Sequence, residues 1–169
     1  MQKYFCWCLL TMLVLSVPSQ AQKIDGAPAK PVPVAIAANN GLRNEDAKFK
    51  GAGITLAGTF TLPSTTTLGA APKKLPAVLL LGAQGATPRD GMVVAPEVVQ
   101  PIYKLLAEHL AAQGFVTFRF DKRCAGASGC SPSLALDDYV EDARAAFELL
   151  RARPEVNPAK VFVFGHDEG

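Results

Sequence analysis

Three short loops carry the side chains of this sequence whose types and spacing could do chemistry. The first is Gly82-Ala83-Gln84-Gly85-Ala86-Thr87-Pro88-Arg89-Asp90-Gly91, the second Asp121-Lys122-Arg123-Cys124-Ala125-Gly126-Ala127-Ser128, the third Gly165-His166-Asp167-Glu168-Gly169. In the third, Asp167 stands midway between two glycines directly after an apolar run. Glycines at both ends free a tight strand-to-helix turn of side-chain clashes and leave the middle side chain exposed. A carboxylate held up in this way can attack a saturated carbon and form an alkyl ester, which water then cleaves. The only histidines are His109 and His166. His109 falls on or near the apolar stripe of a helix and reads as a packing residue. His166 belongs to the turn, where its backbone is expected to matter more than its ring. Neither is placed to act as a base.

The elements that must position these loops can be read from the spacing of apolar residues. Ile54, Leu56, Phe60 and Leu62 fall at even intervals, the alternation of a strand with one wet face, and Lys48-Phe49-Lys50 reads as its hairpin partner. Ala77-Val78-Leu79-Leu80-Leu81, Phe115 to Phe120 and Val161-Phe162-Val163-Phe164 read as strands of the buried kind found in parallel sheets. Between them, after a long loop, Ile102, Leu105, Leu106 and Leu110 recur at helical spacing and Gly114 supplies a stop. Leu136, Val140, Ala143, Phe147 and Leu150 form a second stripe, with Asp137 and Asp138 near its positive end. Strands alternating with helices imply parallel strands joined by right-handed crossovers. In such sheets ligands bind at the C-terminal ends of the strands, where all three loops fall.

Composition narrows the function. The 169 residues are 49% hydrophobic and 19% charged with a net charge of +2, and the basic residues are scattered. That is a globular balance, and no basic run tracks a nucleic-acid backbone. Lys3, an apolar stretch from Tyr4 to Val17, Pro18 and Ser19-Gln20-Ala21 together read as a cleavable signal peptide at 1–21. The alternative is an uncleaved anchor, although the stretch is short of the roughly 20 residues that span a bilayer. A Pro- and Asn-rich leader is expected over 22–45 and the folded domain over 46–169. Export places the mature chain in a secreted or periplasmic setting, where Cys124 and Cys130 can form a disulfide across a Gly-rich loop, worth about 2 kcal/mol on loop entropy. Two unpaired thiols are the other possibility. No metal-type spacing is present, and no cofactor is expected. The expected partner is a small-molecule substrate, with no nucleic acid and no stable membrane association after signal cleavage.

Together the three loops resemble those of secreted bacterial α/β-hydrolases of the esterase and serine-aminopeptidase-like type. These carry a Gly-rich oxyanion loop ending in Arg-Asp, a DKRGxGxS turn and a GHSEGG elbow. The resemblance covers roughly 45–169 and implies an α/β-hydrolase fold, here its N-terminal half: an antiparallel hairpin plus three parallel strands with crossover helices. It implies hydrolysis of small esters or amides. It places the elbow nucleophile at Asp167 and, by matching Arg89-Asp90 to the family loop, an oxyanion amide at Gln84 beside that of Glu168. Asp121-Lys122-Arg123 reads as a charged turn bracing its neighbours.

Departures from the family pattern change the chemistry. Asp167 stands where Ser is expected, Ala83 replaces a loop Gly, and Cys124 replaces another. Asp167 permits three readings: the nucleophile of a dehalogenase or epoxide-hydrolase type of enzyme, a lost serine in an inactive relative, or a carboxylate satisfied by local amides. The family's acid and base follow the nucleophile in chain order. The sequence therefore reads as a fragment with an incomplete triad, expected to lack turnover alone and to need about 100 or more further residues for a full domain. A non-catalytic pseudoenzyme using the same cleft is a second class, and dinucleotide binding, suggested by Gly82 and Gly85 after a buried strand, lacks the G-x-G-x-x-G pattern.

Overall fold

In the computed structural model the described residues are 41–63, 74–95, 98–131 and 135–169. The expected signal peptide and most of the expected leader lie outside them. The elements are β1 (Arg43–Lys50), β2 (Thr55–Leu62), β3 (Leu75–Leu81), β4 (Met92–Ala95), β5 (Val98–Pro101), α1 (Ile102–Ala112), β6 (Val116–Phe120), α2 (Leu136–Arg151) and β7 (Val156–Gly165). The first strand thus begins at Arg43, three residues inside the stretch expected as leader.

Five strands form one sheet in the order β1-β2-β6-β3-β7. The β1–β2 hairpin is antiparallel, and β2 joins β6 antiparallel. Strand β3 lies between β6 and β7 and runs parallel to both. The chain therefore crosses from β2 past β6 to β3, returns to β6, and crosses again to β7. This is the expected α/β architecture. It brings the C-terminal ends of β6, β3 and β7 side by side.

An apolar run without alternation forms β3 because both faces of the sheet are covered there, and β6 alternates Val116, Phe118 and Phe120 with the buried polar Thr117 and Arg119. On one face Leu56, Phe60, Leu79, Val116, Phe118, Ala146, Leu150 and Val156 make the main core, to which α2 contributes Ala146 and Leu150. On the other, Val78 and Leu80 meet Ala107 of α1, with Leu106, Leu110 and Phe115 around them. The Phe118 ring is fully buried, stacks on Phe60 at 4.2 Å between centroids and takes Phe49 edge-on at 5.8 Å. Helix α1 ends where Gly114 adopts φ 92°, as the sequence predicts.

Three local expectations are corrected. Strand β2 has no wet face: every residue from Leu56 to Leu62 is buried. Its polar face is covered because Arg89 Nη1 donates to Thr59 Oγ1 at 2.8 Å and Arg119 Nη1 to Thr61 Oγ1 at 2.8 Å. The long loop before α1 contains an antiparallel hairpin, β4–β5. His109 is exposed, and it is the adjacent Glu108 that turns inward on α1.

Removing the Phe118 ring empties the centre of the larger core. Phe118→Ala is expected to cost about 3–5 kcal/mol in urea denaturation, and Phe118→Leu clearly less, since the leucine refills most of the volume.

Candidate active site

The turn after β7 has the geometry that its residues imply. Gly169 N–H donates to His166 C=O at 3.0 Å, which closes the chain within four residues. Asp167, the first central residue, has φ 58°. Left-handed backbone strains most side chains, and Asp is among the few that tolerate it. A Cβ at Gly165 would run into the carbonyl of Gly169, and one at Gly169 into that of Leu81, so both ends must be glycine. His166 N–H donates to Leu81 C=O at 3.3 Å, which extends the β3–β7 ladder into the turn. Asp167 and Glu168 are exposed at the rim.

The loop after β3 lies against this turn. Gln84 N–H donates to Asp167 Oδ2 at 3.3 Å. The residues around Gln84 are held from several sides. Ala83 N–H donates to Tyr103 Oη at 3.0 Å, and that oxygen lies 2.8 Å from Nδ1 of His166. The His166 ring therefore has a role that the sequence reading assigned only to its backbone: with Tyr103 it ties the elbow to the loop. Tyr103, on the first turn of α1, is 5% exposed and packs where Gly91 has no side chain, since a Cβ there would collide with the ring. Thr87 Oγ1 donates to the carbonyls of Ala83 and Gln84, each at 3.0 Å. Lys122 Nζ donates to the carbonyls of Ala83 at 2.8 Å and Gly82 at 3.3 Å, and lies 5.1 Å from the Tyr139 ring centre. Burial pushes the Lys122 ammonium below its ordinary value, against the opposing fields of Glu168 and Asp167.

The second loop braces the first. Asp121 is buried, and its carboxylate accepts from Arg89 N–H at 2.7 Å, Arg89 Nη2 at 2.8 Å and Ala127 N–H at 2.9 Å. Arg89 Nη1 also pairs with Asp46 at 3.3 Å, and Asp90 takes Arg119 Nε at 3.0 Å. Arg123 is fully buried and reaches Asp142 at 2.9 Å and Asp138 at 3.2 Å on α2. Cys124 and Cys130 are bridged, and Cys124 adopts φ 64°. That left-handed conformation explains why a glycine would be expected at this position.

Burial alone would raise the Asp121 carboxyl, but Arg89 and the amides of Ala127 and Arg89 outweigh it and hold it below the ordinary 3.8. A depressed folded value means stability that is fully present above the unfolded value and lost as pH falls through the folded one. Urea titrations of the native chain are expected to show this loss below pH 3.8, the ordinary carboxyl value. Asp121→Asn should flatten that part of the acid limb and lower stability at neutral pH by about 1–3 kcal/mol.

Comparison with known proteins bears on this arrangement. Residues 101–169 match the family model for serine aminopeptidase, S33. The uncharacterized protein PA2218 of Pseudomonas aeruginosa is 34% identical over 115 residues, 67% of this chain and 27% of the relative. The crystal structure of PA2218 superposes with a TM-score of 0.56 at 26% identity, covering 76% of this chain and 36% of that one. The α/β hydrolase GrgF from Penicillium sp. sh18 gives 0.55 at 20% identity over 73% of this chain and 37% of its own. The esterase Est22 gives 0.57 at 16% identity over 79% of this chain and 38% of its own. The chain thus spans about a quarter of the curated relative and a little over a third of these structures. A β3-centred sheet with this strand order, a left-handed residue on the turn after β7, and these matches give the chain an α/β-hydrolase fold.

Proposed function

We propose that this chain supplies the nucleophile and oxyanion half of an exported hydrolase for small organic substrates, with esters or small amides as the leading class. One observation carries the reading: Asp167 stands at φ 58° on the rim with the Gln84 amide directed at its carboxylate. The reacting side chain and an oxyanion donor therefore come from two different loops to one point, as acyl transfer needs. In this reading Asp167 holds the nucleophile position, and the amides of Gln84 and Glu168 form the oxyanion pocket. The serine-aminopeptidase match and the esterase neighbour support the substrate class. The apolar stretch and Ser19-Gln20-Ala21 site at the N-terminus support export, and the bridged Cys124 and Cys130 fit an oxidising compartment. The acid and base of a complete triad are not among the residues described.

The same contact favours a second reading. A carboxylate that attacked an ester would give a mixed anhydride, a poor intermediate. With Oδ2 engaged by Gln84 N–H, Oδ1 is the oxygen left to attack a saturated carbon. The bond formed is Oδ1–C, the bond broken is carbon to halide or to epoxide oxygen, and the departing group carries away the electron pair.

Mass spectrometry separates the two. Under the leading reading, Asp167→Ser in a polypeptide that also carries the triad's acid and base is expected to take up one acyl group from an aryl ester at position 167, with burst release of the phenol, while the same polypeptide with Asp167 takes up none. Capture of an alkyl halide or epoxide as an ester on Asp167 of the native chain, lost in Asp167→Asn, would replace it with the carboxylate mechanism.

A further inference from the structure

The Ala83 carbonyl and the Gln84 amide are two ends of one peptide unit. In a trans peptide these groups point in opposite directions, so fixing one aims the other. Here the carbonyl end is held by Lys122 Nζ at 2.8 Å and Thr87 Oγ1 at 3.0 Å, and the amide end reaches Asp167 Oδ2 at 3.3 Å. An ammonium on the carbonyl does more than orient it. It draws electron density along the amide and makes the opposite N–H a stronger donor, as hydrogen bonds in series polarise one another.

Lys122 is well placed for this. It is 9% exposed, one residue past the Asp121 clamp, and its ammonium lies between two carbonyls and the face of Tyr139. A buried ammonium set on backbone carbonyls is a costly arrangement for bracing alone, which a neutral donor could achieve. We propose that Lys122 is a positioning residue for the oxyanion donor: its charge orients and polarises the 83–84 peptide so that Gln84 N–H meets negative charge developing at the elbow. This rests on the reading of Gln84 as an oxyanion donor, and adds that the donor's strength is set by a cation on the far side of the loop.

The test is NMR on the isotopically labelled 169-residue chain, following the Ala83 carbonyl carbon and the Gln84 amide nitrogen and proton. In Lys122→Met all three resonances are expected to move upfield, while amides of the core strands, such as Leu79 and Phe118, stay in place. Lys122→Arg should return them most of the way. Thr87→Val, which removes only the neutral donor, should give a smaller displacement in the same direction. Asp167→Ala reports on the other end of the peptide and is expected to move Gln84 N–H. If Asp167→Ala moves the Gln84 amide and Lys122→Met does not, the role of Lys122 is overturned and the oxyanion reading stands. If neither moves it, both are overturned. If Lys122→Arg displaces the resonances as far as Lys122→Met, charge is not what Lys122 supplies and the proposal is again overturned.

Discussion

A carboxylate removed from water must be met by donors, and the way Asp121 is met organises everything above the sheet. Its oxygens take the backbone and the guanidinium of Arg89 from one loop and the amide of Ala127 from its own. Arg89 reaches onward to Thr59 and Asp46, so the N-terminal hairpin is drawn into the same network. With that junction fixed at the end of β6, the next residue, Lys122, has its ammonium on Gly82 and Ala83, and the one after, Arg123, has its guanidinium on α2. Three consecutive charged residues thus reach, in turn, the loop after β3, the backbone that faces the elbow, and the helix beneath the sheet.

Much of this was legible in the sequence, and the rest was hidden for identifiable reasons. Strands β3 and β6 and the helical stripes of α1 and α2 depend on local patterning, and the structure has them. The charged turn at 121–123 braces its neighbours as its composition implied. The polar face of β2 misled because Thr59 and Thr61 are covered by Arg89 and Arg119, which lie 30 and 58 residues away. No window around β2 contains that information. His109 misled for a smaller reason: one position along a helix is 100° of rotation, enough to exchange an inward residue for an outward one. The Tyr103–His166 contact, 63 residues apart in sequence, had no local signal at all.

Among the described residues, two that are not glycine occupy left-handed backbone, Cys124 and Asp167. Such positions persist when their surroundings over-determine them. Cys124 is fixed by its bridge to Cys130 and by its N–H on the Gly129 carbonyl. Asp167 is fixed by the 166–169 turn and by the contact with Gln84. The first is an internal staple. The second leaves its side chain at the surface.

Strand β7, which carries Asp167, is bonded along one side only among the described residues. Its partner is β3, from Leu75↔Val156 to Leu81↔Gly165, while Phe162, Val163 and Phe164 remain 43–53% exposed. Among the described residues the carboxylate is held by the backbone bonds of β7 to β3, continued into the turn by His166 on Leu81, by the tether of His166 to Tyr103 and by the contact with Gln84. Thermal displacement of the tip then follows whatever β3 does, and the same strand also launches the loop bearing Gln84. The Asp167 carboxylate and the Gln84 amide thereby move in common, so their separation is steadier than the position of either.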